Sequence, residues 1–545
     1  MPLLSAEEMR AVDRWAIEEA GVAGLDLMER AGAGVARAAE RLAPDGRVTV
    51  VCGKGNNGGD GLVAARLLRD AGRLVIVVSV APPQELTGDA RTNLERLPGD
   101  RPVQLDGSAW GDTGADAGAR AAAGESDPFD GASVLVDALL GTGFQGEPRG
   151  AVGEAIEAIN RAGAAVVSVD VPSGVDASSG VICSSAVGAS VTVTFHAAKP
   201  GLWIAPGKTQ AGEVQVLDIG IPRGAPAKAS VGLIESSVVE LLAHREAGGT
   251  KFTSGHVVVV GGSRGLTGAP QMAAHAAMRA GAGYVTACVP ASQQSVVASA
   301  GLVELMTRGL PDDGERFTAE ALGGALEAVG RGGALALGPG LGRGGGAVAF
   351  ARALARETET PMVLDADGLN AHAGRLGELA GRNAATVLTP HAGELGRLLE
   401  LDSAEIERER LRHVRAAAEQ SGAVVVLKGD DTLIAEPTGR VAVSPGASPA
   451  LATAGTGDVL TGVIAALLAQ GLGAFAAAAA AVWLHAAAGR EAARRQGGAD
   501  GVIASDVIAA LPVVRGPQQG APGSRQTVER GGEGESAGAG WRAGP

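Results

Sequence analysis

Arg47-Val48-Thr49-Val50-Val51-Cys52 runs into Gly53-Lys54-Gly55-Asn56-Asn57-Gly58-Gly59-Asp60 and then into Gly61-Leu62-Val63-Ala64-Ala65-Arg66-Leu67-Leu68-Arg69-Asp70. The first six residues are a β-branched run of strand length, and the last ten, Gly61–Asp70, carry the apolar period of a helix. The loop between them satisfies G-x-G-x-x-G at Gly53, Gly55 and Gly58, a pattern that sets a dinucleotide phosphate at a helix N-terminus. A tight strand-to-helix turn would account for the glycines, but not for two Asn and an Asp packed among them. In an ordinary nicotinamide dehydrogenase an acidic ribose ligand closes the next strand, about 20 residues on. Here that strand, Leu74–Val80, runs into Ala81-Pro82-Pro83, which disfavours hydride transfer.

Outward from this stretch the alternation continues. Strands are expected at Ser133–Asp137 and Ala165–Asp170, with a helix over Gly153–Arg161 between them, and Ser5-Ala6-Glu7-Glu8 reads as a capping box that opens an N-terminal helix. Repeated strand, loop and helix is the pattern of a doubly wound parallel sheet. A Pro, Ala and Gly-rich break at Ile221–Ser230 separates this half from a second series. That series has strands His256–Val260, Tyr284–Val289, Ala334–Gly338, Met362–Asp365, Thr386–Leu388 and Ala423–Lys428, with a helix from Pro270. An Ala-rich helical region from Asp458 closes it near Val514. The expected organisation is therefore α/β throughout: a domain over 1–220, a linker and entry segment over 221–244, and a second domain over 245–515. The Ala/Gly/Asp-rich stretch 106–131 reads as a surface insertion, and 516–545, which has no apolar period, as a disordered tail.

Composition narrows the function classes. At 545 residues the chain exceeds one ordinary domain, and Gly 85 with Pro 26 stays below low-complexity levels. The net charge of −14, with its basic residues dispersed, argues against a nucleic-acid groove. Cys52, Cys183 and Cys288 are far apart and form no Cys-x-x-Cys pair, so neither a disulfide framework nor a structural zinc site is expected, and a reducing cytoplasm fits. Residues 1–20 begin with charged Glu7, Glu8 and Arg10, unlike a signal peptide. The Ala- and Gly-rich run Val459–Gly489, broken by Gln470 and His485, reads as a buried helix pair rather than a membrane span. Trp 5, Tyr 1 and Phe 7 leave the cores to Ala, Val, Leu and Ile. Lysine occurs only at 54, 199, 208, 228, 251 and 428, which makes each lysine conspicuous.

Two later strand ends in the first half add polar groups. Asp137 precedes Ala138-Leu139-Leu140-Gly141-Thr142-Gly143-Phe144-Gln145-Gly146-Glu147, and Asp170 precedes Val171-Pro172-Ser173-Gly174-Val175-Asp176. Ligands of open α/β sheets sit at the carboxyl ends of strands, where all three loops begin. Asn57, Asp137 and Ser173 offer oxygen atoms suited to a hard cation. GNNGGDG, VDALLGTGFQGEPRG and VDVPSGVD, in this order, resemble the NAD(P)H-hydrate epimerase domain, which implies a Rossmann-like sheet. The resemblance implies that Asn56, Asn57, Gly58, Gly59, Asp60, then Gly141, Thr142, Gly143, Phe144, Gln145, Gly146, Glu147, and Asp170 contact a hydrated dinucleotide. It also implies that Asn57, Asp137 and Ser173 hold a potassium ion. Asp170 is the candidate acid–base group for breaking and remaking the C6–oxygen bond. Lys199 could assist it, a surface role being the alternative.

In the second half, Ala454-Gly455-Thr456-Gly457-Asp458 opens a helix. Glycines at a helix start aim several N–H groups at one point, where they can stabilise phosphoryl charge, and an adjacent Asp can take a proton from an attacking hydroxyl. A capped helix start carries equal weight for this segment alone. Its company is Gly338-Pro339-Gly340-Leu341-Gly342, Asp365-Ala366-Asp367-Gly368-Leu369-Asn370, Thr389-Pro390-His391-Ala392-Gly393-Glu394 and Lys428-Gly429-Asp430-Asp431-Thr432. This set resembles the ribokinase-like superfamily and, within it, ADP-dependent NAD(P)H-hydrate dehydratases. The resemblance implies Asp458 as catalytic base, with Gly340, His391 and Asp458 on the substrate. It places Lys428, Gly429, Asp430, Asp431, Thr432, Gly455, Thr456 and Gly457 on the nucleotide. His391 could instead be a core residue.

Together the halves imply a bifunctional repair enzyme that epimerises R- and S-hydrates of NADH and NADPH and dehydrates the S-form with ADP. Magnesium is expected with ADP, carried by the phosphates. The expected partners are these hydrates and ADP, with no nucleic acid and no membrane, and a homo-oligomer is expected. The competing readings are a vitamin-precursor kinase of the same superfamily fused to a non-catalytic binding module, and a first half that serves only as a sensing or assembly scaffold.

Overall fold

The computed structural model describes residues 1–105, 127–300, 302–330 and 332–516. Apart from 127–131 and Gly516, the expected insertion and tail lie outside the described residues. The described residues divide into two compact units, Pro2–Val231 and Gly232–Gly516, the latter joined by Met1.

The first unit is a sheet of parallel strands: β1 (Arg47–Cys52), β2 (Val75–Ser79), β3 (Val103–Gln104), β4 (Ala132–Ala138), β5 (Ala165–Val169), β6 (Val191–Phe195) and β7 (Glu213–Leu217). Its order is β3-β2-β1-β4-β5-β6-β7. Val50 and Val51 of β1, and Leu135 and Val136 of β4, face opposite ways and are fully buried, as a strand covered by helices on both sheet faces requires. The strand order reverses between β1 and β4, and a doubly wound sheet opens a crevice at such a point. Helix α1 (Ala6–Glu18) carries the capping box expected from Ser5 and Glu8, and α2 (Gly24–Leu42) packs on α3 (Asn56–Asp70).

That third helix, α3, spans Asn56–Asp70 and so begins five residues before the expected Gly61. The polar motif is thus not a loop ahead of the helix but its first turn, with Gly55 as the N-cap. A Cβ at Gly58 would lie 1.9 Å from the Gly53 carbonyl oxygen, and one at Gly59 2.6 Å from the Met28 sulfur. Gly58 and Gly59 are therefore there to let backbone and helix pack closely. Strands β6 and β7 escaped the sequence reading: the alternating threonines of Val191-Thr192-Val193-Thr194-Phe195 look half-exposed, yet both are buried and hydrogen-bonded. Helix α4 (Ala151–Arg161) covers the other face.

The second unit contains β8 (His256–Val260), β9 (Tyr284–Pro290), β10 (Met306–Leu310), β11 (Ala334–Leu337), β12 (Met362–Leu364), β13 (Thr386–Leu388), β14 (Val424–Leu427), β15 (Leu433–Ala435) and β16 (Val441–Val443). They lie in the order β16-β15-β14-β13-β12-β11-β8-β9-β10, parallel except where β15 meets its neighbours. Strand β10 was not anticipated, because Met306-Thr307-Arg308-Gly309-Leu310 at the sheet edge has almost no apolar pattern. The helices used below are α5 (Gly268–Arg279, two residues earlier than expected), α6 (Ala392–Leu399), α7 (Arg410–Ser421), α8 (Thr456–Ala469), α9 (Ala474–Gln496) and α10 (Ala504–Arg515). Helix α8 packs against α5 so closely that a Cβ at Gly462 would lie 2.0 Å from the Ala273 carbonyl. The run Val459–Gly489 is accordingly a buried helix pair, α8 and α9, within one alanine-rich core. Among the described residues no helix is long and apolar enough to cross a membrane.

Candidate active sites

In the first unit a cavity of about 800 Å³ opens at the switch point. Its floor is the carboxyl edge of β1 and β4, with Gly53–Asn57 and Asp60 from one and Leu139–Phe144 from the other. Asp170, just past β5, and Lys199, after β6, complete it. Asp170 has a left-handed backbone (φ 66°), a conformation that costs a non-glycine residue energy and recurs at functional positions. Its Oδ1 accepts from Lys199 Nζ at 2.5 Å and from Thr194 Oγ1 at 3.1 Å. Lys199 also donates to Thr194 Oγ1 (2.8 Å) and to the Phe195 carbonyl (3.0 Å), and only 1% of it is exposed. The surface alternative for Lys199 is thereby corrected: this lysine is locked onto Asp170.

Asp60 lies in the same cavity, and burial, reinforced by Asp170 and Asp13, pushes its carboxyl well above the usual range. Asp13, on α1, lines the cavity too, and burial raises it, Lys199 opposing and Asp170 adding. No motif marked Asp13 in the sequence; only the fold carries it to the site. Of the glycine-rich loop, Gly141–Phe144 line the cavity, whereas Gln145, Gly146 and Glu147 do not, and Glu147 pairs with Arg149.

Asp137 lies beneath, fully buried. Its Oδ1 accepts from Ser173 Oγ (2.5 Å) and the Leu139 N–H (3.3 Å), and its Oδ2 from Ser168 Oγ and the Ser173 N–H, both at 2.9 Å. Asn57 Nδ2 donates to the Leu140 carbonyl (2.9 Å), which also lies 3.3 Å from Ser173 Oγ. Asn57, Asp137 and Ser173 therefore converge around Leu140. Among the described residues no Lys or Arg forms a salt bridge with Asp137, although burial raises its carboxyl against four lowering hydrogen bonds. A buried carboxylate with no side-chain counter-charge, ringed by neutral oxygens, is a donor set that fits a monovalent cation.

In the second unit the polar groups gather at the carboxyl ends of four adjacent parallel strands, β11 to β14. Gly338 (φ 120°) and Gly340 (φ 63°) follow β11, and a Cβ on Gly338 would meet the Asp365 carbonyl at 2.0 Å. Asp365 follows β12 and is 2% exposed. It accepts from Thr389 Oγ1 (2.8 Å), Lys428 Nζ (3.1 Å) and Thr461 Oγ1 of α8 (2.7 Å). Glu394 Oε2 stands 3.6 Å from the same lysine. Burial draws the Lys428 amine down, but Asp365 and Glu394 outweigh it and hold the group above its usual range.

Asp458 lies in the first turn of α8, after Gly455 (φ 90°), where a Cβ would meet the Met272 sulfur at 2.5 Å. Burial, with Asp365 and Glu394 adding and Lys428 opposing, pushes the Asp458 carboxyl up to about 7. A carboxyl tuned there is matched to proton transfer near neutral pH. Asp365 and Glu394 sat inside quoted motifs without being singled out, and their proximity adds to the effect of burial on Asp458. His391 is not a core residue: it caps α6, its Nδ1 accepting from the Gly393 and Glu394 N–H groups, and its ring is 54% exposed.

A separate cavity of about 510 Å³ lies between Lys428–Asp430, Thr432, Ser444–Leu451 and the start of α8. Asp430 Oδ1 accepts from the Ala447 N–H, and Thr432 Oγ1 donates to the Gly429 carbonyl (2.7 Å), closing the turn. His485 of α9 lines this cavity, and burial pushes its imidazole down to about 4, so it is neutral at pH 7. Asp431 departs from expectation. Its carboxylate does not line the cavity but pairs with Arg410 Nε at 3.1 Å, both side chains being almost wholly buried. Arg410 also reaches the Lys428 carbonyl (3.4 Å), so this pair braces the turn from behind. Arg410→Met should remove the buried ion pair on Asp431 and destabilise the second unit by about 3–5 kcal/mol, read from denaturant unfolding.

Fold and sites together define a fusion of two α/β enzymes, one with a carboxylate–lysine cavity at a sheet switch point and one with a buried, neutral-range carboxyl at a glycine-opened helix start. The family model described as NAD(P)H-hydrate dehydratase matches residues 257–512, and that described as YjeF-related protein N-terminus matches 24–201. The chain is 41% identical over 524 residues to the bifunctional NAD(P)H-hydrate repair enzyme Nnr of Moorella thermoacetica, covering 94% of this chain and 96% of that one. To the enzyme of the same name from Escherichia coli K12 it is 32% identical, covering 94% of each. Among solved structures, the ADP/ATP-dependent NAD(P)H-hydrate dehydratase of Bacillus subtilis, co-crystallised with ATP and Mg²⁺, is 28% identical with a TM-score of 0.45, over 52% of this chain and 97% of that one. The chain belongs to the family of bifunctional NAD(P)H-hydrate repair enzymes. Full-length matches to one family, across both halves, disfavour the kinase-plus-scaffold alternative.

Proposed function

We propose that the first unit interconverts R- and S-hydrates of NADH and NADPH and that the second dehydrates the S-form with ADP, giving AMP and phosphate. In this reading residues 1–220 are the epimerase domain, 221–244 the entry segment and 245–515 the dehydratase domain. The observation that carries it is Asp458, buried beside the Asp365–Lys428–Glu394 cluster at a glycine-opened helix N-terminus and raised to about 7, chiefly by that burial. Asp458 takes the proton of the C6 hydroxyl, whose oxygen attacks the terminal phosphoryl of ADP, and AMP leaves. The N–H groups at Gly455–Gly457 face the charge that develops on the transferred group. Phosphate then departs from C6 as the ring nitrogen lone pair pushes in, and loss of a C5 proton restores NAD(P)H. Incubating the enzyme with mixed hydrates and ADP should yield reduced nucleotide, AMP and phosphate in equal amounts; phosphate without reduced nucleotide would refute the coupling.

Magnesium suits the nucleotide cavity because Asp430 is the one carboxylate lining it among the described residues, which favours an ion carried chiefly by phosphates. Bound there, it would offset phosphate charge. Potassium would be held by Asn57, Asp137 and Ser173 and would order the loop between β5 and β6 rather than act as a Lewis acid. Epimerase activity should accordingly require potassium and fall when lithium replaces it, and Asp137→Ala should lose that dependence with most of the activity. If Asp137 merely organises its own loop through its four hydrogen bonds, the rate will not respond to which monovalent ion is present.

A further inference from the structure

The cavity of the first unit contains more acid than the Asp170–Lys199 pair accounts for. Lys199 directs its ammonium hydrogens to Asp170, Thr194 and the Phe195 carbonyl. Nothing of that ammonium is left for Asp13 and Asp60, which line the same space. The other charged groups lining the cavity are Arg10, one turn before Asp13 on α1, and Lys54, Glu85 and Asp89. Lys54 and Glu85 pair with each other at 3.2 Å, and Arg10 is exposed.

Placement on α1 is specific. Met9, Asp13 and Ile17 fall at i, i+4 and i+8, one ridge of the helix, and all three line the cavity. The chain ahead of the helix is tied down beside the lysine: the Leu4 N–H donates to the Ala198 carbonyl at 2.9 Å, and the Ala6 N–H to Ser178 Oγ at 3.0 Å. Asp13 is thus held at the site by hydrogen bonds on both sides of the N-cap Ser5.

We propose that Asp13, together with Asp60, forms the second acid–base centre of the epimerase, holding the proton that the departing C6 oxygen requires. The inference rests on the reading of Asp170 as the acid–base group already assigned. Inversion at C6 by hydroxyl exchange needs two groups in opposite protonation states. The Asp13/Asp60 pair gives its proton to the C6 oxygen, the C6–O bond breaks as the nitrogen lone pair forms N1=C6, and water leaves. A water oxygen then attacks C6 from the other face, the N1=C6 electrons return to nitrogen, and Asp170 takes the water's proton. Reversal exchanges the two roles, and solvent resets the protons. The raised carboxyls of Asp13 and Asp60 fit the proton-bearing member.

The test is carried out on the full-length enzyme without ADP, following R- to S-hydrate conversion by chromatography across pH. Asp13→Asn should lower kcat about a hundredfold with KM within about twofold, and should remove the alkaline fall of the rate profile. Asp13→Asn with Asp60→Asn should be little slower than the worse single variant, because the two act as one unit. Asp13→Glu keeps a carboxyl and should restore the alkaline fall; a folded Glu variant without it overturns the proposal. So does an Asp13→Asn enzyme within about threefold of wild type with an unchanged profile. In that event Asp170→Asn separates the two ideas: if it is inactive only the Asp13 proposal fails, and if it too is active the cavity assignment fails with it.

Discussion

Asp458→Asn is expected to abolish ADP-driven dehydration, lowering kcat by roughly 10³–10⁴, while R/S interconversion continues unchanged. The asparagine keeps the shape of the α8 start, so the N–H groups of its first turn remain in place and only the proton acceptor is lost. The wild-type pH profile should carry the same information. A base raised to about 7 is active when ionised, so kcat should fall about tenfold per pH unit below that point and level off above it. In the variant that acid limb should vanish. Phosphate release from ADP at near wild-type rate with the S-hydrate would show that another group is the base.

Asp170→Ala should do the converse. It removes the carboxylate that Lys199 grips at 2.5 Å and leaves an ammonium, 1% exposed, without its charge partner. Epimerisation should fall by about 10²–10⁴, and turnover of pure S-hydrate with ADP should be untouched. A mixture of hydrates would then be repaired only in part, with the R-form left to spontaneous epimerisation. Because truncating one member of a buried pair also destabilises, Lys199→Met is the companion variant. It retains the Asp170 carboxylate, and if Asp170 is the reacting group, some epimerase activity should survive in it that Asp170→Ala lacks. Full repair of the mixture by Asp170→Ala would move the epimerase site elsewhere.

Much of this protein was legible from the chain alone. Valine runs bounded by glycine and polar turns mark strands buried on both faces, and their alternation with alanine-rich helices specifies parallel α/β sheets. Because functional loops of such sheets follow strand ends, Asn57, Asp137, Asp170 and Lys428 could be picked out before any coordinates, and Asp458 from the glycines that open its helix. Weakly patterned elements were not legible: β6 hides buried threonines whose hydroxyls find partners only in the fold, and β10 is an edge with nothing apolar to repeat. The start of α3 at Asn56 was hidden as well, since two Gly and two Asn in five residues argue against a helix until Gly53 and Gly58 are seen to touch.

Sequence by itself thus determined which residues stand at the mouths of the two sheets, because order along the chain and strand periodicity are local properties. Tertiary structure alone decided their charge states and their companions. Lys199 meets Asp170 from 29 positions away, Thr461 reaches Asp365 across 96, and Asp13 enters the first cavity from a helix marked in the sequence only by its capping box. Asp431 turns from the cavity beside Lys428 to Arg410 for the same reason. Protonation and ion pairing depend on distance and on loss of water, and neither exists until the chain has folded.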